Sequence, residues 1–155
     1  MLYSQIKVST NYNMQLTPHF TLEELAVTNN KQYKNENILQ ALQIIGKMYM
    51  LAGFAERIRE IIGKPVIINS GYRCPALNKA VGGAISSQHV LAEALDIKVK
   101  GKTASELLQI IVASDLKYDQ VIWEKPKSGT AWLHISIGSK KEKLKWDGTK
   151  YSKIG

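Results

Sequence analysis

Cysteine is almost missing from this chain. Cys74 is the only one among 155 residues, so no internal disulfide framework can form. It reads as a small buried side chain, because nothing near it in sequence could serve as the base of a reactive thiol. A metal-ligand role is the minority alternative. Long apolar runs are missing as well, and no stretch approaches the roughly 20 residues of a membrane helix. The opening "MLYSQIKVSTNYN" has no basic start followed by an apolar block. This predicts a protein made in the cytoplasm without a secretory signal, and no membrane insertion. Acidic residues are outnumbered, 13 against 21 basic ones, for a net charge of +8. Much of the excess sits in "SKKEKLKWDGTKYSK" at the C-terminus. Such an end is either a solvated face or an attraction for an anionic polymer, nucleic acid or cell wall. Arginine is scarce beside lysine and no nucleic-acid-binding pattern accompanies the charge, so no specific nucleic acid is expected.

What remains is 45% hydrophobic and 22% charged, the balance of one ordinary globular domain. Repeats and low-complexity segments are lacking. Residues 1–13 read as a polar arm, 14–139 as the folded domain and 140–155 as a basic tail. In "FTLEELA", Thr21 and Glu24 form a capping box, with Phe20 and Leu25 as its hydrophobic staple. From Asn37 to Ile62 apolar residues recur at helical spacing, as one long helix or two short ones, with Gly46 and Gly53 as weak points. Gly63 and Pro65 end that run. "PVIINS" reads as a strand and "PALNKAVGG" as a short helix with Pro75 in its first turn. "ALDIKV" reads as a strand, and "TASELLQIIVA" as a helix opened by a Thr103–Glu106 capping box. "DQVIWE" and "WLHISI" read as two strands around the turn "KPKSGTA". The order predicts an α+β fold: a small, largely antiparallel sheet with flanking helices in a single domain.

Two of these strands share a design. In "ALDIKV", Leu95, Ile97 and Val99 face one side and Asp96 the other. In "WLHISI", Leu133, Ile135 and Ile137 face one side, and Trp132, His134 and Ser136 the other. Each strand buries an aliphatic row and presents a metal-type ligand on its opposite face. A carboxylate placed in a half-buried strand is costly unless it is paired or bound to a cation. His89 stands just before the Asp96 strand and can fold back toward it. Two histidines and one carboxylate leave an open position on tetrahedral zinc. Taken singly, each of these residues reads more readily as a surface or hydrogen-bonded group than as a ligand.

The segments "SGYRCPALNKAVGG", "SSQHVLAEALDI" and "WLHIS" resemble, in that order, the M15 zinc peptidases. That family comprises D-alanyl-D-alanine carboxypeptidases and L-alanyl-D-glutamate endopeptidases, many of them bacteriophage endolysins. Its pattern Ser-x-His-x-x-Gly-x-Ala-x-Asp, then Trp-x-His, falls here on Ser87, His89, Ala94, Asp96, Trp132 and His134. The likeness runs from about Thr17 to Ile137. It implies a hedgehog-like M15 fold, zinc held by His89, Asp96 and His134, and Arg73 above the substrate, binding its carboxylate or the oxyanion. Tyr72, Ser87, Gln120 and Trp132 are the further candidates for substrate contact. Two positions depart from the pattern. Ala92 replaces the usual glycine. Ala131 stands where many members carry an acid, three residues before the last histidine. Glu124, at the end of "DQVIWE", is the substitute general base, its alternative being a solvated hairpin-end residue. Asp119 has the opposite strand parity, so at most one of the two should face the site if the strand is regular.

The resemblance implies zinc-assisted hydrolysis of peptidoglycan stem peptides by a monomer. The natural setting would be a phage or prophage lysis enzyme acting at the cell wall, released through a holin pore. The alternative is a non-catalytic zinc-containing module that binds wall or partner. His19 reads as a local helix-start residue, Trp123 as packing, and Asn78 as a hydrogen-bonding support of the "SGYR" loop.

Overall fold

A computed structural model describes residues 14–155; the arm expected at 1–13 lies outside the described residues. The chain starts with a two-stranded ribbon, β1 (Gln15–Thr17) and β2 (Phe20–Thr21). Thr21 then caps α1 (Leu22–Leu25). Its hydroxyl accepts the Glu24 amide, and the Glu24 carboxylate accepts the Thr21 amide, so the capping box forms as expected. Next come α2 (Lys34–Gln43) and α3 (Ile45–Ile62), bent by 99°. The break lies at Ile44, while Gly46 and Gly53 both stay inside α3. Asn37, Ile38 and Ala41 of α2 and Met48, Leu51, Ala52 and Ala55 of α3 all face inward. Their spacing would share one face of a straight helix as well, so periodicity does not set the corner. Gly63 ends α3 at φ 72°, where a residue without Cβ is favoured. No single helix among the described residues is long and apolar enough to cross a membrane.

The rest of the chain builds one sheet with two short helices interleaved. The elements are β3 (Ile67–Ser70), α4 (Pro75–Ala80), β4 (Ala94–Lys98), α5 (Ala104–Ala113), β5 (Gln120–Glu124), β6 (Trp132–Ser136), β7 (Glu142–Trp146) and β8 (Tyr151–Lys153). The strand order is β3-β4-β6-β5-β7-β8. All neighbours are antiparallel except β5 and β7. The fold is α+β with a largely antiparallel sheet, as the sequence predicts. One face of the sheet offers Leu95, Ile97, Val121, Leu133 and Ile135 to a core shared with Leu51, Ile58, Leu107 and Ile111 of α3 and α5. The period of two then leaves the polar positions of the same strands on the opposite face.

The segment after residue 139, read as a tail, adds two strands to the sheet. Its turn is built by Asp147, whose carboxylate accepts the Thr149 and Lys150 amides, and by Gly148 at φ 93°. The Asp-Gly pair in "KWDGTKY" is a hairpin signal, obscured in the sequence by the lysines around it. To reach β7 from β6 the chain crosses the start of β5. There a Cβ at Gly138 would come within 2.5 Å of Asp119, so the crossing needs a glycine.

Candidate metal centre

The sheet register brings the candidate ligands together. Asp96 on β4 lies directly opposite His134 on β6. The Asp96 Oδ1 is 2.9 Å from His134 Nδ1 and 3.4 Å from His89 Nε2. His89 reaches them from the turn before β4. Its Nδ1 lies 2.7 Å from the Gly71 carbonyl, to which it donates as the proton-bearing nitrogen. That assignment turns the Nε2 lone pair toward the Asp96 carboxylate. Two acceptors then face each other, and a cation or a shared proton must lie between them. The three donor atoms lie within 4.8 Å of one another. The two imidazole rings meet edge-on, with centroids 5.1 Å apart. Two imidazoles and one carboxylate suit zinc with one position left open, so the residues fit the ion. Burial favours the neutral Asp96 acid, yet its hydrogen bonds with His134 and, through the shared proton, with His89 prevail and hold it well below the usual carboxylate range.

The backbone around the histidine turn is tightly specified. The Arg73 amide donates to the His89 carbonyl at 3.0 Å and the Tyr72 amide to the Leu25 carbonyl at 2.8 Å. A Cβ at Gly71 would collide with that same Leu25 carbonyl, which accounts for the glycine of "SGYR". Asn37 of α2, wholly buried, completes the arrangement. Its amide donates to the Ala26 and Tyr72 carbonyls at 2.9 and 3.0 Å, and its carbonyl accepts the Cys74 amide at 2.7 Å. The support expected from Asn78 is therefore supplied by Asn37. Asn78 instead donates to the Ala84 carbonyl, one turn further on. A polar residue on the inward side of a helix was the available signal for Asn37. Ala92 ends the histidine turn at φ 56°, so the departure from glycine does fall at a left-handed residue.

A cleft of about 890 Å³ opens over the ligands. Glu124 lies on its floor, with Oε1 3.9 Å from His134 Nδ1. Burial, and then the Asp96 charge, push its carboxyl up to about 7, against the pull of His134 and Arg73. Arg73 also lines the cleft. Burial lowers its guanidinium from the ordinary value, while the charges of Asp96 and Glu124 act in the opposite sense. It forms no ion pair among the described residues, and its Nη2 donates to Ser87 Oγ at 3.4 Å. Ser87 Oγ accepts the His89 amide at 3.3 Å as well, so it braces both the ligand turn and the arginine.

Other candidates are placed as follows. Gln120 and Trp132 line the cleft, and Gln120 Nε2 donates to Glu142 Oε1 at 3.0 Å. Tyr72 is a correction: its ring is buried in the core and is not part of the cleft lining, because the loop amide bonds turn it inward. Asp119 precedes the regular part of β5, so strand parity does not apply to it, and it lines the cleft together with Glu124, held by Gln88 at 3.1 Å and Lys140 at 3.8 Å. His19 pairs with Glu56 on α3, far along the chain from any ligand. Cys74 is fully buried, and burial raises its thiol, which suits neither nucleophile nor ligand.

A carboxylate beside a two-histidine, one-carboxylate site on an α+β domain is the donor set of a metallopeptidase class. The comparison with protein families gives the same class: the family described as Peptidase M15 matches residues 18–135. The chain belongs to the Peptidase M15 family. No curated protein matches it significantly.

Proposed function

We propose that this chain is a zinc-dependent peptidase of peptidoglycan stem peptides, with Glu124 as general base. The observation that carries this reading is the convergence of His89 Nε2, Asp96 Oδ1 and His134 Nδ1, with the Glu124 carboxylate at the same cleft floor. Zinc bound there would supply Lewis acidity toward water and toward a peptide carbonyl. Glu124 accepts a proton from the attacking water and delivers it to the amine nitrogen as the carbon–nitrogen bond breaks. In the metal-free site burial lifts this carboxyl to about 7, and zinc bound beside it would favour the charged form that takes the proton. Arg73, cationic and without an ion pair among the described residues, faces the same space and takes the negative charge of the oxyanion or of a substrate carboxylate. The acid lacking at Ala131 is thereby replaced from the neighbouring strand, since Glu124 pairs with Trp132 in the register. The proposed setting is a phage or prophage lysis enzyme, reaching the wall through a holin.

The test measures zinc content and cleavage of purified stem peptides side by side. About one zinc per chain is expected in the wild type, with loss of it in His89→Ala and His134→Ala. Glu124→Gln should keep the metal while hydrolysis falls by about 10²–10⁴-fold. Unchanged zinc in both histidine variants would refute the metal site. Near-normal cleavage by Glu124→Gln would place the base elsewhere. A wild type that binds wall and zinc but cuts no stem peptide would be a binding module.

A further inference from the structure

The hairpin of β7 and β8 lies beyond the span matched by the family, yet it forms part of the cleft. The register shows how. Asp96, His134, Ile122, Leu144 and Lys153 stand opposite one another in turn, from β4 through β6, β5 and β7 to β8. A neighbouring row runs Trp132, Glu124, Trp146, Tyr151. Residues opposite each other across a sheet project from the same face. The ligand row therefore ends at the Lys153 ammonium, and the Glu124 row ends at the Tyr151 phenol. Both residues are exposed and both line the cleft. Between the ligands and Lys153 the floor is apolar, made by Ile122 and Leu144.

The hairpin is held as a rigid wall. The Lys125 amide donates to the Trp146 carbonyl and the Ile154 amide to the Lys143 carbonyl, both at 3.0 Å. The Lys145 ammonium sits 5.0 Å from the centre of the Trp123 ring on the far face, and Trp146 stacks against Tyr151 at 4.6 Å. Lys153 forms no ion pair among the described residues. Burial, and then the charges of Glu124 and Asp96, raise the Tyr151 phenol, which agrees with its facing the site.

We propose that this hairpin is a specificity wall for acidic peptides. In it, Lys153 pairs with a substrate carboxylate about four residues from the scissile bond, and Tyr151, two residues away on the same strand, bears on the same part of the peptide. The spacing follows from the sheet. Three strand intervals of about 4.8 Å put Lys153 roughly 14 Å from His134, and an extended peptide covers about 3.3 Å per residue. This carboxylate is distinct from any that Arg73 receives, because Arg73 stands above the ligands themselves. The proposal rests on the peptidase reading above.

The experiment compares synthetic stem-type peptides that carry either a free carboxylate or a carboxamide at that distance. Wild type, Lys153→Ala, Lys153→Glu and Tyr151→Ala are assayed for KM and kcat, with zinc content measured for each. Wild type should favour the carboxylate by about three- to tenfold, in KM rather than kcat, and less at high salt. Lys153→Ala should abolish the preference and Lys153→Glu should reverse it, both with zinc unchanged. Tyr151→Ala should raise KM for both peptides. Should Lys153→Ala and Lys153→Glu keep the wild-type preference, the wall has no part in recognition. If wild type cleaves neither peptide, the peptidase reading fails, and the same preference is then sought in calorimetric binding. Equal affinity of wild type for the two peptides overturns the wall as well.

Discussion

The hydrogen bonds of Asn37 go to no ligand of the candidate metal, yet three backbone groups of two different loops depend on it. Replacing it by alanine leaves two carbonyls and one amide without their partner in a buried place. Each such group costs about 1–3 kcal/mol, part of which relaxation recovers. Asn37→Ala should therefore destabilise the fold by about 2–5 kcal/mol in chemical denaturation. Ala92 poses an opposite question. Glycine there would relieve a left-handed alanine, worth about 1 kcal/mol, but would also lose a buried methyl of similar value. Ala92→Gly should stay within about 1 kcal/mol of wild type, whereas the β-branched Ala92→Val should cost at least about 2 kcal/mol. Melting curves of the two variants distinguish these outcomes. Glu124 adds a dependence on pH in the metal-free protein. Its folded value of about 7 lies above the ordinary 4.5, so the folded state binds the proton more tightly than the unfolded one. That contribution is complete below the ordinary value and is lost as pH rises through the folded value. Glu124→Gln, permanently neutral, should match wild type in acid and exceed it by about 2–3 kcal/mol above neutrality. Zinc favours the charged carboxylate and should shrink the difference. No such pH-dependent gap in metal-free denaturation would mean that Glu124 is better solvated than its surroundings indicate.

At the scale of elements, β4 and β6 do the work of assembly. Each is only five residues long, and each supplies an aliphatic row to the core and a donor to the cleft. A slip of one residue between them would move Asp96 away from His134 and turn the aliphatic row outward at once. Core burial and ligand placement are thus coupled. The α2–α3 corner shows a similar rule for helices. The chain bends at Ile44 rather than at a glycine because the bend keeps Asn37 beneath the histidine loop and Leu51 in the core. In the parallel pairing of β5 with β7, the crossing at Gly138 is the constraint. Gly138→Val would push against Asp119 and disturb its bonds with Gln88 and Lys140. Its expected result is a loss of about 1–3 kcal/mol in stability, read from denaturation, with the metal ligands retained.

For the whole molecule the governing quantity is the net charge of +8. Lys140 and Lys153 place part of it at the cleft, both on exposed positions. A surface of this kind concentrates on an anionic polymer through screened attraction. Sedimentation with isolated cell walls should therefore decline steadily from about 0.05 to 0.5 M salt, where the Debye length contracts from roughly 14 to 4 Å. Binding that ignores salt would assign wall affinity to the cleft contacts alone.

Local signals were enough for much of this protein. The capping boxes at Thr21 and Thr103, the stop at Gly63 and the parity of Asp96 and His134 depend on neighbours within a few residues, so they are legible in the chain itself. The order of the motifs was likewise sufficient to point to the family that residues 18–135 match. Other features depend on partners far away in sequence. Tyr72 turns into the core because Leu25 and Asn37 hold its backbone, and Asp119 reaches the cleft because it precedes the regular strand. That Lys153 stands in the same row as His134 follows from four successive strand pairings, none of which is written in the residues around either one. Periodicity tells each strand which side chains share a face. Only the packing of strand against strand decides which faces, and which residues on them, come to stand together.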